Sequence, residues 1–146
     1  MSRRAAAIGL IAGLTLSSCG SGTSDQAVPD RTYDVKLAAM PGAFFPMAPR
    51  GSAEATIRVV GARREICWTF GRPSGFTDPT RAEIRLGGPG EYGSLEVALG
   101  SRYSPTGCSR QVAARVLGAI VASPQGSYVE IDSRRFPSIG AVRAQL

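Results

Sequence analysis

Cysteines are the residues of this chain best placed to do chemistry, and their surroundings divide the three of them into two kinds. Cys19 follows Arg3 and Arg4, an apolar run from Ala5 to Leu16, and the tetrapeptide Leu16-Ser17-Ser18-Cys19, with Gly20 behind it. A cationic start stays on the cytoplasmic side of a membrane, an apolar stretch of about 7–15 residues enters it, and small residues then admit a peptidase. The segment reads as a signal peptide ending in a lipobox: cleavage before Cys19 makes it the new N-terminus, and its thiol carries a palmitate-type lipid. The run is too short for a membrane span, which takes about 20 apolar residues. Cys67 and Cys108 are left over, and outside the cytoplasm two thiols in one small domain pair as a disulfide. The rival is a metal site, for which the chain offers no Cys-x-x-Cys pair and no histidine.

The lack of histidine narrows the chemistry further. The usual general base is missing, and with it any serine or cysteine triad built on one. Asp30 with Asp34, and Glu91 with Glu96, are acid pairs without a recognisable motif. Gly87-Gly88-Pro89-Gly90 lacks the lysine and following helix of a phosphate loop and reads as a β-turn. Tyr92 and Tyr103 could stack on sugar rings, although tyrosines near strand ends ordinarily cover the edge of a core. The expectation is a chain that is not an enzyme, with no catalytic residues, no cofactor and no metal.

These residues need elements to hold them. Without residues 1–18 the net charge falls from +6 to +4, and every basic residue except Lys36 is arginine. Residues 19–31 read as the lipidated cysteine and a flexible tether rich in Gly, Ser, Thr, Asp and Pro. Residues 32–146 read as one domain. Tyr33, Val35 and Leu37 alternate with polar residues, as do Ala53 to Val59, Ile66 to Phe70, Ala82 to Leu86 and Leu95 to Leu99, the period of a half-buried strand. Val112, Val116, Leu117, Ile120 and Val121 recur at helical spacing, which places one short helix near residues 111–123. Tyr128–Ser133 and Ala141–Leu146 form the last strands. Short strands with Gly/Pro turns make the fold all-β, a β-sandwich or a Greek-key barrel.

Three segments, in order, resemble the chordin-type (CHRD) domain: Ile66-Cys67-Trp68-Thr69-Phe70, then Thr80 to Gly93, then Gly126 to Ser133 with Phe136-Pro137 and Gly140 to Leu146. The resemblance covers roughly Thr32 to Leu146 and implies an immunoglobulin-like β-sandwich. Where that family carries histidines, this chain has Glu83, Arg85 and Asp132. Alternate residues of a strand share a face, so Glu83 and Arg85 are expected to form an ion-pair cluster with Asp132, Arg85 standing between the two carboxylates. A metal held by Glu83 and Asp132 alone would be a poor site.

The sequence thus points to a lipoprotein of the cell envelope, anchored through Cys19 and presenting a non-catalytic binding or structural domain to an envelope protein or polysaccharide. Gly20 after the lipidated cysteine favours the outer membrane. An exported chain meets no nucleic acid. The loop from Met40 to Gly51, with Phe44 and Phe45, is a candidate contact region. Two alternatives are a metal-dependent or redox enzyme on a superoxide-dismutase-like barrel, which the lack of histidine disfavours, and a binder of anionic glycans through Arg63, Arg64, Arg134 and Arg135.

Overall fold

The computed structural model describes residues 27–40, 47–137 and 140–146. Cys19, the signal segment, Phe44 and Phe45 lie outside the described residues. Eight strands and one helix follow in chain order: β1 (Arg31–Ala38), β2 (Ser52–Val60), β3 (Glu65–Phe70), β4 (Pro79–Leu86), β5 (Ser94–Ala98), β6 (Thr106–Ser109), α1 (Ala114–Ala122), β7 (Ser127–Ser133) and β8 (Val142–Gln145). All pairings are antiparallel and join the strands into one sheet in the order β5-β4-β7-β8-β1-β2-β3-β6. The sheet curls so far that its two edges meet. The Ser109 hydroxyl on β6 donates to the Ala98 carbonyl on β5. Of the two architectures left open by the sequence, the chain takes the barrel, nearly closed, with α1 as its one helix.

Alternation builds the wall. On β2, Ala53, Ala55, Ile57 and Val59 are buried while Ser52, Glu54, Thr56 and Arg58 are exposed. The inward residues of β2, β3, β4 and β7 meet Val116, Leu117 and Ile120 of α1 in one core. The helix closes the end of the barrel at which β1 starts. There the Tyr33 hydroxyl donates to the Ile120 carbonyl, and the Val112 amide just ahead of the helix donates to the Arg64 carbonyl (3.0 Å). This end, with the Gly61–Arg63 turn between β2 and β3, is called the near rim below. Ser133 and Ser52 lie at the opposite, far rim, because Ala38 at the end of β1 pairs with both Ser52 and Arg143.

The barrel also recruits residues that the sequence reading gave to the tether. Val28 packs against the core, and the Asp30 carboxylate accepts the Gly61 amide (3.0 Å). A Cβ on Gly61 would sit 1.6 Å from the Val28 carbonyl oxygen, so only glycine lets the incoming chain cross here. β6 was not foreseen in the sequence. Its Thr-Gly-Cys-Ser stretch has no apolar alternation, and Gly107 is required where the Trp68 ring lies 2.5 Å from a would-be Cβ. Cys67 and Cys108 stand directly opposite in the β3–β6 register and are joined, closing a loop of 41 positions.

Candidate functional site

β7 breaks the alternation, being buried on both faces. Val129 and Ile131 face the core, so Tyr128, Glu130 and Asp132 project outward, yet Tyr128 and Glu130 are 0% exposed and Asp132 1%. The outward face of the neighbouring β4 carries Arg81, Glu83 and Arg85. Register sets Arg81 opposite Asp132, Glu83 opposite Glu130 and Arg85 opposite Tyr128. On the other side of β7, Arg143 of β8 stands opposite Glu130.

Two carboxylates directly opposite each other would repel. Arg85 resolves the conflict by donating from Nη2 to Glu83 Oε2 (2.8 Å) and from Nε to Glu130 Oε1. Arg81 donates from Nη2 and Nε to Asp132 Oδ2 (2.7 and 3.0 Å) and lies 3.6 Å from Glu83. The patch is covered by loop backbone. The Gly93 carbonyl accepts from Arg85 (3.1 Å), the Gly93 amide donates to the Tyr128 hydroxyl (3.0 Å), the Glu91 carbonyl accepts from Arg143 (2.9 Å), and the Pro137 carbonyl accepts from Arg81 (2.9 Å). Arg143 also lies over the Tyr128 ring, 4.6 Å from its centre.

Burial dominates the electrostatics. It pushes the Glu130 carboxyl up to about 7, against the pull of Arg85 and with help from the like charges of Asp132 and Glu83. Burial raises Asp132 as well, opposed by its bond to Arg81. Burial works against the charge of Arg85, but Glu130 and Glu83 outweigh it and hold the guanidinium more firmly protonated. Two buried oxygens, Glu130 Oε2 and Asp132 Oδ1, have no hydrogen-bond partner among the described residues. The first faces Gly140, where a Cβ would come within 3.2 Å of it. Three carboxyl groups are thereby set against Arg81, Arg85 and Arg143 in a seam that loop backbone covers over Glu83, Glu130 and Asp132 and leaves half-open at Arg81.

Glu83, Arg85 and Asp132, singled out in the sequence, come together on this seam. The pairing differs from the one expected, because Arg85 bridges Glu83 and Glu130 while Asp132 belongs to Arg81. Glu130, Arg81, Arg143 and Tyr128 were missed. The signal for Glu130 was present in the alternation of Tyr128, Glu130 and Asp132 with Val129 and Ile131, but the register that seats it against Glu83 is not written in either strand alone. The arginines named for glycan binding are separated: Arg63 and Arg64 stand at the near rim, while Arg134 and Arg135 follow β7 at the far rim. Among the described residues, Glu65, Cys67 and Cys108 gather potential metal-ligating atoms within 4.8 Å of one another, but both sulfurs are committed to the disulfide. Comparisons with known protein families, with curated proteins and with solved structures return no match.

Proposed function

We propose that this chain is a lipid-anchored protein of the cell envelope whose barrel, similar in sequence to the chordin-type domain, serves as a non-catalytic binding or structural module. The cysteine accounting carries the reading. A lipobox claims Cys19, and the two thiols it leaves over are bonded to each other across β3 and β6, the redox state of an exported domain. The non-catalytic part is supported by the lack of histidine, which leaves no imidazole base for a serine or cysteine triad. Palmitate labelling of cells expressing the chain tests the anchor. Label is expected in the wild type and absent from Cys19→Ala. Label retained by Cys19→Ala, or wild-type protein found in the cytosol with free Cys67 and Cys108, would overturn the reading.

A further inference from the structure

The chain enters the barrel at its near rim, pinned by Asp30 and Val28 across Gly61. Six arginines gather at that rim: Arg31 and Arg58 where β1 starts and β2 ends, Arg63 and Arg64 in the connecting turn, Arg110 after β6 and Arg115 in the first turn of α1. Two carboxylates pair with them, and a third, Glu91, sits on the Gly88 amide in the β4–β5 loop that opens at the same rim. Glu65 is shared by Arg63 (3.1 Å) and Arg110 (3.3 Å), and Asp30 lies 3.8 Å from Arg58. Arg31, Arg64 and Arg115 are exposed and have no ion pair among the described residues. The rim therefore keeps a surplus of positive charge on the side from which the tether leaves.

Arg64 ends the turn between β2 and β3. Its φ of 51° is left-handed, a conformation that favours glycine. The conformation closes the Gly61–Arg63 turn, with the Arg64 amide donating to the Gly61 carbonyl (3.1 Å), and leaves the side chain exposed at the rim.

We infer that the near rim docks on anionic phospholipid headgroups, holding the barrel against the bilayer in which its own lipid is inserted. The inference rests on the anchor reading above, since the tether decides which rim meets the membrane. The far rim carries arginines too, among them Arg134 and Arg135, but a tether leaving the near rim points them away. A guanidinium forks onto phosphate oxygens, and basic residues close to an anionic leaflet attract it additively. A headgroup layer is flat and negatively charged, and it sits next to this rim by construction.

The test uses the unlipidated chain from Gly20 to Leu146, because every described strand, the helix and the whole core lie within it. Flotation with phosphatidylethanolamine vesicles, with and without phosphatidylglycerol, reads the binding, and circular dichroism checks the fold. Binding is expected only with phosphatidylglycerol, and it is lost in roughly 1 M salt, where charges are screened over about 3 Å. Arg64→Gly, which suits the left-handed backbone, and Arg115→Gln each weaken it about five-fold. Arg134→Gln with Arg135→Gln leaves it unchanged. Equal binding to both vesicles, equal loss from the far-rim pair, or retention on dextran sulfate without vesicle binding would each overturn docking. Failure here beside a palmitate-labelled Cys19 rejects docking alone, and vesicle binding beside an unlabelled Cys19 rejects the anchor alone.

Discussion

Glu130 is held between opposing demands. Its strand carries it under a loop, its neighbour on β4 is another acid, and only one of its two oxygens has a hydrogen-bond partner among the described residues. Burial then makes the proton worth keeping, and the carboxyl holds it up to about pH 7. The unfolded chain releases the same proton near 4.5. Below that value both forms carry it. As pH rises from 4.5 to 7 the unfolded chain ionises first, so stability falls across that window and levels off above it, by an amount on the order of 3 kcal/mol. Urea unfolding at pH 5 and pH 8 checks this: Glu130→Gln should flatten most of the difference seen in the wild type, and an unchanged slope would show that other groups carry it. Glu83, Arg85 and Asp132 could be picked from the sequence because they stand where the resembled chordin-type family carries histidines. Their pairing could not, since it depends on which residue of β7 lies beside which residue of β4.

At the scale of elements, local pattern decided most of the fold. β2 and β3 alternate because one of their faces meets the core and the other is more open, whereas β4 departs from the pattern where Glu83 and Arg85 lie under the seam's loop cover. The helix foreseen at residues 111–123 forms over Ala114–Ala122, where its apolar stripe covers the barrel end. β6 shows the limit of such reading. It is four residues long, its strand character comes from its neighbour, and its glycine answers to a tryptophan far away in sequence. What fastens this short edge strand covalently is Cys67–Cys108. Closing a loop of 41 positions restricts the unfolded chain by about 4 kcal/mol in the chain-entropy account. Reduction, or the double change Cys67→Ala and Cys108→Ala, should lower stability in urea by up to that amount. Hydrogen exchange should rise first in β6 and in its contact with β5, and uniform exchange throughout the sheet would contradict the assignment.

The whole molecule folds around one core, to which the sheet and the helix both contribute. Trp68, the single tryptophan of the chain, is 5% exposed within it and donates its ring N–H to the Ser104 carbonyl (3.0 Å). Its emission should therefore lose its buried, blue-shifted character in the same urea transition that abolishes the far-ultraviolet dichroism, as a single cooperative unit requires; separated midpoints would reveal a second unit. The position of β1 has a mechanical consequence. β1 lies inside the sheet, between β8 and β2, and the tether enters it end-on at Arg31. Antiparallel hydrogen bonds lie across the strands. In a chain anchored as proposed, a pull between the lipid and anything gripping the far rim runs along β1 and loads its rungs to β2 together in shear, across all eight residues of the strand, instead of peeling them apart one at a time.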